Sequence, residues 1–344
     1  MTAFSRRQTL RAGLAAGAAI LAPAVVRAQA RTALKFSLNA PFDGSNAAFF
    51  LAEQQGYFRA EGLDLQMDAS GGTGEVINRV SSGAYDAGFG DQTALVEFIA
   101  KNPAVAPKAV QTIYYRSPLC VATLAKAGVG GPKELAGKTL SAAQTDGAYR
   151  LFPAFCASVG LNPETVQFKF GDLRIREALL LRGEVDGIVG FDSTIYFNLV
   201  PQGIKPEDLR FLHYADHGLD IYGNSIMVSR KLLDGDPQIV RGLVRAIGRG
   251  WRDAIKDPEA AIAALAKRDP LIKREAELGK LQWLIKNQLV TDEVRRHGIG
   301  DVVAERLQRA ITTVAKAFGL PQAPAPGDVF TSAYLPPPAE RMLG

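Results

Sequence analysis

Histidine and cysteine are scarce in this chain. Its 344 residues hold three histidines, His213, His217 and His297, and two cysteines, Cys120 and Cys156. A zinc site therefore has few possible ligands, and none of the usual metal-ligand spacings occurs. Two cysteines make no disulfide framework. Placed on a strand and a helix, they read either as a bridge permitted in an oxidising compartment or as two small buried hydrophobes. No G-x-S-x-G turn and no Cys–His neighbourhood is visible in the sequence, and no lysine lies between Lys35 and Lys101. These absences weigh against covalent catalysis and a resident metal, so no cofactor is expected.

Long apolar runs are also few. Ala12 to Val26 is apolar and small-residue-rich, but fifteen residues fall short of the roughly 20 needed to cross a bilayer. It follows the twin arginine Arg6-Arg7 and precedes Ala28-Gln29-Ala30, an A-x-A cleavage signal, so residues 1–30 read as an export leader cut after Ala30. No cysteine stands near that site to take a lipid, and a freely diffusing periplasmic protein is the expected end state. Removing the leader's four arginines lowers the formal net charge from +5 to +1. A nearly neutral chain gives no support for nucleic-acid or membrane-surface binding. The whole chain is 47% hydrophobic and 22% charged, ordinary for a globular protein, and the part after the leader is long enough for two domains.

Helix-like and strand-like pieces alternate along it. Leu34–Leu38, Leu63–Met67 and Ala87–Phe89 read as strands, and Ala47–Gln55, Glu75–Val80 and Ala94–Ala100 as helices. This βαβαβα order predicts a parallel sheet covered on both faces, with ligands at the carboxyl ends of its strands. Loops 40–45, 70–74 and 90–93 lie there. A second unit repeats the plan, with strands at 138–142, 166–170 and 185–191 and helices at 148–159 and 175–181. Ser82-Gly83-Ala84-Tyr85-Asp86 in the first unit is echoed by Arg182-Gly183-Glu184-Val185-Asp186 in the second.

Two extended stretches, 110–125 and 219–229, are candidate hinge strands between the units. They divide the chain into one lobe of residues 31–117 and 223–344 and another of 118–222. Beyond the second crossing the pattern turns helical. Asp236 caps, Pro237 takes the first helical position, and Val240, Leu243, Val244, Ile247, Trp251 and Ile255 recur at three- and four-residue steps. The Pro-rich tail from Pro321 to Pro338 reads as an extended strap on the surface.

Taken together, Gly56-Tyr57-Phe58, Glu61-Gly62-Leu63, Gly71-Gly72 and Ser82-Gly83 followed by Asp86 resemble the periplasmic binding proteins of ABC importers for nitrate, sulfonates, taurine and thiamine-pyrimidine precursors. The resemblance covers most of the chain after the leader and is sharpest between residues 47 and 91. It implies an α/β, type II periplasmic binding protein fold: two doubly wound lobes joined by two hinge crossings, a monomer that closes on a small-molecule solute and delivers it to a membrane permease. Many relatives carry a tryptophan-acid-proline step where this chain has Phe191-Asp192-Ser193. A thiamine-pyrimidine synthase of similar fold uses pyridoxal phosphate, its own histidine and an iron-binding cysteine cluster. This chain has no cysteine cluster and no histidine before His213.

The candidate ligand-binding residues fall into three chemical groups. Backbone donors at predicted helix starts, Gly71-Gly72-Thr73 and Thr145-Asp146-Gly147, suit an anion such as a sulfonate. Against an anion stand Asp43, Asp91, Asp146 and Asp192, which would pair with the N–H donors of a nitrogen heterocycle or equally serve as helix caps. Phe42, Tyr115, Tyr149, Phe191 and Tyr222 could stack a ring, while Asn39, Asn46 and Asn224 could complete its hydrogen bonds. A nitrogen heterocycle or aromatic compound is the favoured ligand, with a sulfonate, taurine or nitrate as the alternative, and an enzyme or a sensor lobe further behind.

Overall fold

The computed structural model describes residues 31–144, 146–171 and 173–343; the expected leader and Thr145 lie outside them. Among the described residues ten strands follow one another: β1 (Thr32–Ser37), β2 (Leu63–Asp68), β3 (Ala87–Asp91), β4 (Lys108–Thr112), β5 (Leu119–Leu124), β6 (Thr139–Ala142), β7 (Gln167–Phe170), β8 (Gly187–Phe191), β9 (Leu209–His213) and β10 (Asn224–Val228). They form two five-stranded sheets, ordered β2-β1-β3-β10-β4 and β7-β6-β8-β5-β9.

Alternation explains the outer strands. In β2, Leu63, Leu65 and Met67 are buried while Asp64 and Gln66 face water. The central strand β3 is buried throughout and contains two glycines. A side chain at Gly88 would collide with Val76, and one at Gly90 would lie 2.9 Å from the Thr73 methyl. Helix α2 (Thr73–Ser81) therefore packs directly on β3, which sets its first turn beside the strand's carboxyl end.

Both sheets depart from the expected parallel arrangement. The pairs β1–β2, β1–β3, β6–β7 and β6–β8 are parallel, but β10 runs antiparallel to β3 and β4, and β5 antiparallel to β8 and β9. The reason is topological. β5 and β10 are the strands entered from the other sheet, so each comes in from the carboxyl end of its neighbours. The crossings themselves, 113–118 and 214–223, are not strand; residues 110–112 and 119–124 of the expected hinge stretch belong to β4 and β5, and 224–228 to β10.

The echoed sequence is an echoed structure. Gly83 (φ 78°) and Gly183 (φ 73°) both take the left-handed conformation that glycine adopts freely. Three residues on, Asp86 exchanges bonds with Lys35 at the start of the first sheet, its Oδ2 accepting from the Lys35 N–H at 2.8 Å. Asp186 does the same with Thr139, also at 2.8 Å.

Helices cover the sheets: α1 (Ala47–Gln54), α2 and α3 (Gln92–Lys101) on the first, α4 (Gly147–Val159), α5 (Leu173–Leu181) and α6 (Asp192–Leu199) on the second, then α7 (Pro237–Lys256), α8 (Pro258–Arg268), α9 (Arg274–Leu284), α10 (Asp292–His297) and α11 (Ala304–Ala317). Asp236 caps α7 by accepting from Gln238 N–H, and Val240, Leu243, Val244, Ile247 and Trp251 are buried on one face. The tail is not a plain strap: Pro326–Val329 and Pro338–Arg341 each form a helical turn, as proline at a first helical position favours. Between them Phe330 bridges Ala109, covering the edge of β4. Cys120 on β5 and Cys156 in α4 are both buried free thiols, and burial pushes the Cys156 thiol up to about 12. Among the described residues no helix is long and apolar enough to cross a membrane.

Candidate functional site

A cavity of about 710 Å³ opens between the two sheets. This falls within the range of small-molecule sites. Its first wall is the loop Gly71-Gly72-Thr73 with the start of α2, followed by Asp91 and the exposed face of α3, Thr93, Ala94, Glu97, Phe98 and Lys101. The second wall comes from the other sheet: Leu119, Gln144, Gly147, Arg150 and Phe191, with Phe318 closing one side.

Three helix N-termini border this space, and each has a carboxylate beside it. Glu75 reaches back to accept from Gly71 N–H at 2.7 Å, and Ser70 Oγ accepts from Gly72 N–H at 3.3 Å. Asp91 caps α3, accepting from Thr93 N–H at 2.9 Å, while its own N–H goes to Thr73 Oγ1 at 3.1 Å. Asp146 caps α4, accepting from Ala148 N–H at 2.8 Å. An anion approaching any of these termini would meet the negative charge of a carboxylate beside it.

The lining cations are engaged as well. Arg150 Nη2 meets Glu97 Oε1 at 2.7 Å, Nη1 pairs with the other oxygen, and the guanidinium lies 4.1 Å from the centre of the Phe318 ring. Lys101 meets the same Glu97 at 2.6 Å. These contacts, dominated by the Arg150 hydrogen bonds, hold the Glu97 carboxyl below the usual range. The Glu97–Arg150 pair joins α3 on the first sheet's side to α4 on the second's.

Asp91 is different. Its residue exposure is 7%, Oδ1 serves the cap, and Oδ2 has no hydrogen-bond partner. Burial pushes its carboxyl above the ordinary range. Asn224 sits directly opposite it in the antiparallel β3–β10 register, 1% exposed, with Oδ1 also unpartnered.

Of the residues singled out from the sequence, Gly71, Gly72, Thr73, Asp91, Gly147 and Phe191 line the cavity. Asn224 lies beside Asp91. The others have different surroundings. Asp43 receives Lys280 at 3.0 Å and caps a short turn, and Asn46 donates to Pro41 O at 3.1 Å. Phe42 packs edge-on to Phe50, and Asn39 is half-buried with an unpartnered Oδ1. Tyr149 packs against Phe168 and Phe170. Tyr115 and Tyr222 meet edge-to-face at the crossings, where Arg306 stacks 4.0 Å over Tyr222 and donates to Tyr115 O at 2.6 Å. Asp192 is not a cap but the first residue of α6, with Phe191 as N-cap; it is fully buried, with both oxygens held by Gln288 and Oδ2 also 2.9 Å from His213 Nε2.

Four lining or supporting residues carried no sequence signal. Glu97 and Arg150 stand 53 positions apart. Phe318 follows α11 in the C-terminal region. Arg176, 1% exposed, lies beneath the α4 terminus, where it donates to Val189 O at 2.6 Å and faces Asp146 at 3.4 Å and Glu177 at 3.1 Å. Burial still raises the Asp146 carboxyl, and Arg176 opposes that rise.

Known proteins share this architecture. The chain is 23% identical over 302 residues to the riboflavin-binding protein RibY of Chloroflexus aurantiacus, covering 84% of this chain and 82% of that one. It is 23% identical over 218 residues to the 4-amino-5-hydroxymethyl-2-methylpyrimidine phosphate synthase of Schizosaccharomyces pombe, covering 61% and 62%. In fold it is similar to the periplasmic aliphatic sulphonate binding protein SsuA of Escherichia coli, with a TM-score of 0.68, 15% identity, and coverage of 86% and 91%. The two lobes, the crossings and the interlobe cavity thus form a periplasmic binding protein fold. The family model described as NMT1/THI5 like matches residues 44–261, and the chain belongs to that family.

Proposed function

We propose that this chain is the solute-binding component of an ABC importer, working in the periplasm as a monomer and handing a small ring compound to a membrane permease. The observation that carries the ligand class is the carboxylate that stands at each helix N-terminus. Glu75, Asp91 and Asp146 set a carboxylate beside each terminus that an anion would use, and the lining cations Arg150 and Lys101 both belong to Glu97. What the cavity offers instead is room and the rings of Phe98, Phe191 and Phe318. A neutral or cationic nitrogen heterocycle fits that chemistry better than a sulfonate or nitrate. We read the cleft as a site of binding rather than turnover, because its carboxylates and cations serve as caps and ion pairs.

In this reading residues 31–117 and 223–344 form one lobe and 118–222 the other. The lobes rotate about 113–118 and 214–223, and ligand shifts the population toward the closed form by its greater affinity for it. Export through a leader ending at Ala30 supplies the compartment. RibY, named for riboflavin, supports a ring compound as the solute.

The test is a thermal-shift panel of riboflavin, 4-aminopyrimidine, an aromatic carboxylate, ethanesulfonate and nitrate. A ligand at 100 times its Kd adds about 2.7 kcal/mol to the folded state. At least one neutral or cationic ring should raise the melting temperature, and ethanesulfonate and nitrate should not. Stabilisation by ethanesulfonate or nitrate alone would reverse the ligand assignment, and turnover of a ring compound would make the protein an enzyme.

A further inference from the structure

Resting on the division into a lobe of 31–117 with 223–344 and a lobe of 118–222, we infer that α9 and the turn after it form a latch. It holds the two lobes together in the ligand-free chain, with Trp283 at its centre. α9 is fixed to the first of these lobes. Glu277 Oε2 accepts from Gly44 N–H at 2.6 Å, Lys280 reaches Asp43 at 3.0 Å, and a side chain at Gly44 would collide with the Glu277 carbonyl. The helix therefore travels with that lobe.

A different strip of the same segment meets the other lobe. A Cβ at Gly279 would lie 2.9 Å from the Phe197 ring, so the backbone itself touches α6 there. One turn on, the Trp283 indole lies 4.6 Å from the centre of the Tyr196 ring at 32°, with Phe197 and Phe211 at 6.3 and 6.0 Å. Residues four apart share a helix stripe, so a plain α-helix would present Asn287 next. Residues 285–289 form a π-helical turn instead, which holds one residue more. Asn287 turns back to donate to Trp283 O at 2.9 Å, and Gln288 takes the strip. Its Nε2 meets the two Asp192 oxygens at 3.1 and 2.9 Å, while its carbonyl accepts from the Tyr115 and Arg116 N–H groups of the first crossing. The extra residue thus sets a ring contact and a polar contact to the second lobe in one register.

The contact is a seam, not a core. Tyr196, Phe197 and Trp283 are half-buried along an open groove of about 490 Å³, whereas Trp251 and its neighbour Phe49 in the first lobe are fully buried. Trp283 Nε1 is buried without a partner in the shut seam, a loss that parting the helices returns to water. Ring contact favours the shut form and the unpaired donor opposes it, which keeps the two forms close in free energy.

Solution scattering and circular dichroism of the ligand-free chain test the latch. Trp283→Ala and Tyr196→Ala should each enlarge the radius of gyration at wild-type helix content. The double variant should expand no further than either single one, and Trp283→Phe, which keeps a ring, should stay near wild type. Trp251 is sealed in the core, so Tyr196→Ala should also shift the indole emission to longer wavelength as Trp283 meets water. An unchanged radius in the alanine variants, a double variant that expands by the sum of the two, Trp283→Phe expanding as far as Trp283→Ala, or an unshifted emission overturns the latch. If Trp283→Ala fails to fold, Tyr196→Ala supplies both readouts. No solute enters these measurements, so their failure leaves the reading of the cleft standing, and a thermal-shift panel without a ring ligand leaves the latch standing.

Discussion

Asp91 is held in an unfavourable state by its surroundings, and its substitution has a pH signature. Burial raises its folded-state pKa above the unfolded value near 3.9. Between those two values the folded chain binds more protons than the unfolded one, so this residue's contribution to stability falls as pH rises through that window and stays low above it. Asp91→Asn removes the penalty and keeps the cap. Melting curves should therefore show the variant more stable than wild type at pH 7, with the gap closing as the solution is acidified into the ordinary carboxylate range. A variant less stable at pH 7 would mean that Oδ2 has a stabilising partner. Arg176 presents the opposite case. With 1% exposure and Asp146 and Glu177 within 3.4 Å, its replacement by leucine strands two carboxylates. Urea denaturation should show Arg176→Leu destabilised by about 3–5 kcal/mol. The caps were legible because an aspartate before an apolar-periodic run has a local reason to be there. Arg176 was not, because a buried arginine and a solvent-facing one look alike in a helix until the strand it lies under is known.

At the scale of elements, α3 and α4 are the two sides of the site, and the Glu97–Arg150 pair joins them. Arg150 holds the Glu97 carboxyl below its ordinary value, so the pair's contribution is fully present above the unfolded value and is lost as pH falls through the folded one. Glu97→Gln should expand the ligand-free protein, read as a larger radius of gyration in solution scattering, with little change in the ligand-bound form. An unchanged ligand-free radius would show that the pair does not hold the lobes together. The elements themselves were largely readable from periodicity and punctuation: β2, α2, β3 and α4 fall within two residues of the expected spans. Strand direction was not. Nothing in the apolar runs at 119–124 and 224–228 says from which end they enter a sheet; that follows from the two crossings. The tail's two helical turns were likewise hidden in a proline-rich composition that suits an extended chain equally well.

Across the whole molecule, the crossings are braced by one side chain. Arg306 on α11 binds Tyr115 O at 2.6 Å, Asp220 at 2.7 Å and Glu293 at 2.8 Å, and stacks on Tyr222. Tyr115 and Tyr222, two ring-stacking candidates from the sequence, are thus parts of the hinge in this structure, and Asp192 is tied to Gln288 and His213 behind it. Type of residue and proximity to a strand end could nominate all three but could not separate a cleft wall from a hinge core. The central claim is that a ring solute occupies the cavity between α3 and α4. Ala94 lines that cavity on α3, and Ala94→Trp would fill it. Calorimetric titration of wild type with the ring compound that gives the largest thermal shift should yield one site per chain, and Ala94→Trp, folded by circular dichroism, should show no binding. Wild-type affinity in Ala94→Trp would place the solute elsewhere and contradict the account.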